Sequence, residues 1–171
     1  GGLLVHPTLG SASTDTLAGL GPAPLRVCDT AGLGDPRTVR LAVRPYPRAR
    51  TLPAPGDTVT LRIVLGPRDD WFAPAALDVL LGQAWEVTAR SDRIGLRLHG
   101  DAPLVRSVLA ELPSEGAVTG AIQVPADGQP VLFLPDHPLT GGYPVIGAVI
   151  DADLDLAGQL PPGSRIRFAL G

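Results

Sequence analysis

The sequence predicts a mainly-β protein, a closed or nearly closed barrel that carries two or three short helices. Short apolar stretches recur along the chain, and several alternate apolar with polar residues, the period of two that is typical of half-buried strands. The 21 glycines and 19 prolines among the 171 residues separate these stretches with turns. With 44% hydrophobic residues, a chain of this length can bury one sizeable core or two small ones.

The first 56 residues are predicted to form a segment that is separate from the barrel. This segment is rich in Gly, Ser, Thr and Pro, with one strand at Leu3–Val5 and a half-buried strand at Val39–Val43. Residues 45–56 form a Pro-rich linker, and the barrel domain covers residues 57–171. Because the sequence contains no Met, we expect the segment to continue from an N-terminal portion that is absent from this chain.

The barrel domain contains seven predicted strands, each an apolar or alternating stretch bounded by turn residues. They are Thr58–Leu65, Trp85–Thr88, Ile94–Leu98, Ala117–Val124, Val131–Leu134, Val145–Ile150 and Arg165–Phe168. The clearest helix is predicted over Pro74–Leu81, because Pro74 suits the first helical turn and Gly82 ends the pattern. A second short helix is predicted over Leu104–Leu112, and a brief helical turn over Asp153–Gln159.

Composition excludes several classes of function. A net charge of −3 gives no basic surface for nucleic acid. No apolar run is long enough to span a bilayer and no signal-peptide layout is visible, so the sequence predicts a cytoplasmic location. One cysteine and three scattered histidines predict neither a disulfide nor a metal site. All fourteen positive residues are Arg, so any nucleotide phosphates must be held by Arg, by backbone N–H groups or by another chain.

The most informative stretch is Thr140-Gly141-Gly142-Tyr143-Pro144. Glycines can adopt positive φ and have no Cβ, so the backbone can turn tightly and let a ligand approach its N–H groups. Tyr143 adds an aromatic face and a hydroxyl beside them. Twenty residues upstream, Gln123 ends another apolar run and supplies an amide. A structural hairpin explains the same pattern, so both interpretations stay open.

Polar residues also precede the predicted strand at Ile94. Arg93 offers a fork that matches a carboxylate or a phosphate, with Asp92 placed to hold it. The alternative is an Asp–Arg clamp that only organises the loop. Asp69 and Asp70 fit an acidic metal site less well than a segment that leads into a helix, where the helix dipole favours negative charge.

A set of motifs resembles a known family. They are Leu9-Gly10-Ser11-x-Ser13-Thr14-Asp15, Gly66-Pro67-x-Asp69-Asp70-Trp71-Phe72, Ser91–Leu98, Ser114–Pro130 and Thr140–Pro144. In this order they resemble the family of allophanate hydrolase subunit 2, which is also called the biotin-dependent carboxyltransferase family and includes the C-type subunits of 5-oxoprolinase. The chain departs from the pattern at Ala12 and Val145, where many relatives carry a cationic residue.

The resemblance implies a cyclophilin-like β-barrel that forms the C-terminal part of a longer subunit. It implies a sister subunit of the allophanate hydrolase subunit 1 type, equivalent to the B-type subunit of 5-oxoprolinase. ATP is expected to act through that complex, and carboxybiotin to be carried by a partner. The implied reaction is the ATP-dependent opening of 5-oxoproline to glutamate, or carboxyl transfer to urea.

Site residues follow from combining the resemblance with the motifs. Arg93 and Asp92 are expected to be catalytic, with the N–H groups around Gly141 and Gly142 stabilising an oxyanion. The substrate is expected to contact five residues, namely Gln123, Thr140, Gly141, Gly142 and Tyr143. The alternative is a non-catalytic regulatory or interaction module that binds a sister subunit.

Overall fold

The computed structural model describes residues 3–16, 18–35 and 52–171. The chain divides into two compact units, Gly1–Arg48 and Ala49–Gly171. The predicted strand over residues 39–43, and the predicted linker up to residue 51, lie outside the described residues.

The first unit has no helix or regular strand among its described residues. Isolated bridges join Leu3 to Leu33, Thr8 to Ser11 and Asp15 to Leu20. The strand predicted at Leu3–Val5 is therefore wrong, because only the bridge at Leu3 forms.

The second unit contains nine strands, two α-helices and one 3₁₀ turn within its described residues. The strands are β1 (Thr58–Leu65), β2 (Trp85–Val87), β3 (Gly95–His99), β4 (Glu115–Gly116), β5 (Ala121–Gln123), β6 (Val131–Phe133), β7 (Thr140–Gly141), β8 (Val145–Val149) and β9 (Arg165–Leu170). The helices are α1 (Ala76–Gly82) and α2 (Asp151–Ala157), and the 3₁₀ turn covers Asp69–Trp71.

Seven of these strands close into a barrel in the order β1-β8-β5-β6-β3-β2-β9. Neighbouring strands are antiparallel except for β1 and β9, which pair in parallel from Thr58↔Arg165 to Ile63↔Leu170 and close the barrel. β4 and β7 form a separate two-stranded sheet. The prediction of a mainly-β closed barrel with short helices is confirmed.

The core fills the barrel interior through the alternation of its strands. Leu61 and Ile63 of β1 are fully buried, as is Ile166 of the adjacent β9. Trp85 is also fully buried, and its indole N–H donates to the Leu80 carbonyl oxygen at 3.0 Å. A buried indole needs such an acceptor, because an unpaired buried donor costs free energy. This bond therefore ties α1 to the barrel wall.

Two of the elements predicted for the second unit also differ from the structure. No helix forms over Leu104–Leu112: the Leu104 N–H donates to Gly128 O, and those of Ser107 and Val108 donate to Trp71 O. Local spacing suggested a helix, but the backbone groups are satisfied by distant partners instead.

The strand predicted over Ala117–Val124 is shorter in the structure. Gly120 adopts a φ of +85°, so only Ala121–Gln123 enters the barrel as β5. The preceding residues Glu115–Gly116 pair with β7 outside the barrel.

Candidate functional site

A cavity of about 230 Å³ opens where the β4–β7 sheet meets one end of the barrel. Most of its lining is apolar, and Gln123 and Glu115 supply polar side chains. The lining residues are Leu65, Gly66, Pro67, Glu115, Gly116, Ala117, Val118, Ala121, Gln123, Gly141, Tyr143, Val145 and Ala148. We call it the Gln123 cavity. Three segments that are distant in sequence therefore meet at one place.

Gln123 is the buried polar side chain of this cavity. It is 7% exposed, and its Nε2 donates to the Tyr143 carbonyl oxygen at 3.2 Å. Its position follows from an irregularity of the β5–β8 ladder, where Ile122 pairs with Gly147 but Gln123 pairs with Val145. Such a bulge re-aims a side chain at the end of a strand. Within the part of the chain that the structure describes, Gln123 Oε1 has no hydrogen-bond partner.

Gly141 is required here for close approach rather than for a turn. A Cβ built on Gly141 would overlap Gln123 Nε2 and lie 3.4 Å from its Cδ. A Cβ on Gly142 would meet only the Leu112 carbonyl oxygen, at 3.6 Å. Neither glycine has a positive φ. The absent side chain of Gly141 instead leaves room for the Gln123 amide.

Thr140 and Tyr143 flank the two glycines on opposite sides. Thr140 pairs with Gly116 in the β4–β7 sheet, and its side chain is exposed. Tyr143 is 47% exposed and lines both the Gln123 cavity and a neighbouring one. The structure thus brings Gln123, Gly141 and Tyr143 into one cavity, and places Thr140 and Gly142 next to it.

An ion pair beside the cavity was not predicted from the sequence. Arg68 forms a bidentate ion pair with the Glu115 carboxylate: Nε donates to Oε2 at 3.1 Å, and Nη2 donates to Oε1. The guanidinium also lies 5.9 Å from the ring centre of Trp71, in cation–π range. Hydrogen bonding to Arg68 holds the pKa of Glu115 below its usual value, and the same bond raises the pKa of Arg68.

The sequence signal for this pair is weak, because its members are 47 residues apart. No pattern in the sequence around Arg68 or Glu115 indicates that the two residues meet. Only their presence within two of the family-like motifs could have drawn attention to the segments.

Arg93 and Asp92 do not belong to the Gln123 cavity. Arg93 Nε donates to Asp136 Oδ2, and both side chains are mostly exposed, at 67% and 58%. Asp92 does not hold Arg93: its Oδ1 accepts the backbone N–H groups of Ile94, at 2.9 Å, and Gly95, at 3.2 Å. Its role in the structure is to organise the turn into β3.

The register of the barrel shows how far apart the two groups lie. Gln123 pairs with Val131 at the start of β6, whereas Arg93 lines a different cavity with Leu134, just beyond the end of that strand. Three residues of strand span about 10 Å. The structure therefore separates the predicted catalytic pair from the predicted binding residues.

Comparison with known proteins agrees with the motifs. The family model described as carboxyltransferase domain, subdomain A and B, matches residues 1–170. The chain belongs to this family. It is 34% identical to the C-type subunit of 5-oxoprolinase from Escherichia coli K12 over 98% of its length, and spans 53% of that protein. It therefore spans about half the length of this relative.

Solved structures of this carboxyltransferase-domain family share the fold. The crystal structure of a protein designated TTHA0988 is 38% identical, with a TM-score of 0.68, and the match covers 99% of this chain and 32% of that one. The Kluyveromyces lactis urea carboxylase is 25% identical with a TM-score of 0.73, over 99% of this chain and 17% of that enzyme. The resemblance that the motifs indicated is confirmed.

Two further observations bear on this carboxyltransferase-domain chain. Among the described residues, no three His, Cys, Asp or Glu side chains come together as a metal site would require. Within the same residues, neither α-helix has the length and apolar character needed to cross a bilayer. Val145, one of the two departures from the family pattern, lines the Gln123 cavity and makes its wall more apolar.

Proposed function

We propose that this chain is part of the C-type subunit of an ATP-dependent 5-oxoprolinase or a related biotin-dependent carboxyltransferase, and that it binds a small amide substrate in the Gln123 cavity. The observation that carries the proposal is the Gln123 amide itself. It is buried, it is fixed by Tyr143, and its Oε1 has no partner among the described residues.

A primary amide matches a lactam in both polarity and shape. The Nε2 group has two hydrogens, of which one is given to Tyr143 O, so the other can be donated to a substrate carbonyl. Oε1 can accept the substrate N–H at the same time. A lactam such as 5-oxoproline presents its N–H and its carbonyl oxygen on one edge, and so does urea. Gln123 can therefore bind either through two parallel hydrogen bonds.

The apolar lining strengthens this recognition. Hydrogen bonds are electrostatically stronger in a low-dielectric environment than in water, and Val118, Val145 and Ala148 supply such walls. A volume of about 230 Å³ suits a five-membered ring with its substituents. It does not suit a nucleoside triphosphate, because the cavity has no free cation among its lining residues. ATP, and carboxybiotin where it is used, are therefore assigned to other parts of the complex.

The partner proposed for this chain is a sister subunit of the allophanate hydrolase subunit 1 type, equivalent to the B-type subunit of 5-oxoprolinase. Apolar side chains beside the cavity support an interface there, since Leu139 is 85% exposed and Val118 is 59% exposed. The same exposure is the observation that favours the second candidate, an interaction module with no chemistry of its own. In that case the cavity contributes only to the surface that a partner covers.

The test is the activity of the full-length subunit assembled with its partner subunits. Glutamate formation from 5-oxoproline and ATP is measured for the wild-type complex and for Gln123→Ala. Losing both amide hydrogen bonds lowers kcat/KM by about tenfold or more, since tenfold corresponds to about 1.4 kcal/mol. Gln159→Ala, a change at an exposed glutamine away from the cavity, serves as the matched control. Equal activity of Gln123→Ala and wild type leaves the interaction module as the better account.

A further inference from the structure

A second, open cavity of about 410 Å³ adjoins the Gln123 cavity across Tyr143. Arg106, Glu111, Leu112 and Gly142 line it together with Tyr143, which lines both cavities. We call it the Arg106 cavity. The two cavities therefore share Tyr143 as a lining residue.

The backbone around Arg106 is held firmly by the segment 71–73. Ala73 N–H donates to Val105 O at 2.9 Å, and Ser107 N–H donates to Trp71 O at 2.9 Å. A bridge joins Phe72 to Arg106 itself. Hydrogen bonds on both sides therefore fix the backbone position from which the guanidinium extends.

Arg106 is the one described arginine of its unit that is half-buried and also has no ion pair. Arg62 and Arg68 are paired with Asp153 and Glu115, and the exposed Arg93 is paired with Asp136. Arg68 and Arg106 are the half-buried arginines among the described residues of this unit. Arg106 makes no ion pair within the part of the chain that the structure describes, and Glu111 lies beyond pairing distance.

Backbone donors accompany this cation. The N–H groups of Gly142 and Tyr143 have no acceptor among the described residues. The nearest atom to a Cβ on Gly142 would be Leu112 O at 3.6 Å, so the approach to this backbone is open. A half-buried guanidinium and unpaired N–H groups lining one cavity form a typical site for a carboxylate.

We propose that Arg106 binds the carboxylate of the substrate whose amide is held by Gln123. This inference rests on the proposed function and makes its substrate class narrower. In 5-oxoproline the carboxylate is attached to the carbon next to the lactam nitrogen, so a lactam bound at Gln123 with that carbon turned toward Tyr143 presents its carboxylate to the Arg106 cavity. Urea has no carboxylate and leaves the guanidinium unpaired. Arg106 therefore selects an anionic lactam over a neutral amide.

The experiment compares two ligands that share the lactam and differ in the carboxylate. Dissociation constants of 5-oxoproline and 2-pyrrolidinone are measured by calorimetry for the full-length subunit in its complex, and 5-oxoproline turnover is measured in parallel. The wild type binds 5-oxoproline about tenfold or more tightly than 2-pyrrolidinone, the factor expected for one charge-assisted pair. Arg106→Gln abolishes this preference and leaves the 2-pyrrolidinone constant unchanged. Arg97→Gln, at an exposed arginine on β3, changes neither.

Glu111→Gln provides a second variant that does not depend on the folding of Arg106→Gln. Removing a negative charge from the Arg106 cavity lowers the dissociation constant of 5-oxoproline and leaves that of 2-pyrrolidinone unchanged. Suppose that the wild-type complex turns over 5-oxoproline. This inference alone is then overturned if Arg106→Gln still binds 5-oxoproline more tightly than 2-pyrrolidinone by the wild-type factor, or if Glu111→Gln leaves that factor unchanged. A complex that neither binds nor turns over 5-oxoproline overturns the proposed function, and the inference with it.

Discussion

Replacing Gly141 by Ala tests whether the glycine is present to make room for Gln123. The new Cβ would overlap Gln123 Nε2, so the amide has to move away from Gly141 and into the cavity that it lines. The amide must therefore leave Tyr143 O, to which it donates at 3.2 Å. Leaving a buried polar pair unsatisfied costs about 1–3 kcal/mol, and a Gly-to-Ala change without backbone strain returns about 0.4–1 kcal/mol.

The net destabilisation is then about 1–2 kcal/mol. For a chain of this size the melting temperature falls by roughly 2–4 °C per kcal/mol, so a decrease of about 2–8 °C is expected. Gly142→Ala is the matched control, because its Cβ meets only Leu112 O at 3.6 Å and its φ is not positive. We expect that control to melt at or slightly above the wild-type temperature.

A double-mutant cycle identifies the cause of the loss. In Gly141→Ala combined with Gln123→Ala the overlapping amide is gone, so the pair should be no less stable than Gln123→Ala alone. Thermal unfolding followed by circular dichroism measures all four proteins. Additive losses in the cycle, or an unchanged melting temperature for Gly141→Ala, would refute the reasoning.

Three further predictions concern other parts of the second unit. Because hydrogen bonding depresses the folded-state pKa of Glu115, its stabilising effect is present above about pH 4.5 and is lost as the pH falls through the depressed value. The melting temperatures of Glu115→Gln and wild type should therefore differ at neutral pH and become equal in acid. Asp101→Asn, the control, should melt at the wild-type temperature at neutral pH as well. Arg93→Gln should keep the activity of the assembled complex within about twofold, because Arg93 lies outside the Gln123 cavity and losing an exposed ion pair costs only roughly 0–1 kcal/mol of stability; a tenfold loss would support the predicted catalytic role. Trp85→Phe should lower the free energy of unfolding by about 1–3 kcal/mol in denaturant titration, because Leu80 O loses its buried donor, and an unchanged midpoint would contradict this.

The barrel could be predicted from the sequence because its signals are local. In β1 and β9, apolar residues such as Leu61, Ile63 and Ile166 alternate with polar ones, and the period of two is visible in the sequence itself. The segment Leu104–Leu112 could not be predicted, because distant carbonyls, and not neighbouring ones, accept its N–H groups. The closing of the barrel by the parallel pairing of its first and last strands also has no local signal.

The candidate site could be predicted only in part, for the same reason. Gln123, Gly141 and Tyr143 stand out as polar or flexible residues at strand ends, and the pairing of β5 with β8 brings them together. Arg93 stands out just as clearly by sequence, but it lies at the other end of these strands. Arg106 gave no signal, because an arginine within a predicted helix is ordinarily on a solvated face. An arginine can be recognised as a candidate ligand-binding residue only when the structure shows whether it is already paired with a carboxylate.

The β4–β7 sheet contributes to the candidate site although it is not part of the closed barrel. It stands outside the closed barrel, yet it supplies Glu115 and Gly141 to the Gln123 cavity, while β5 supplies Gln123 from the barrel wall. The barrel ladder closes without this small sheet, and Gly141 is the residue at which the sheet contacts the barrel residue Gln123. We therefore propose that substrate is selected by residues at this end of the barrel, with Gln123 binding the amide. On this view the difference between neutral and anionic substrates lies in the segment that presents Arg106.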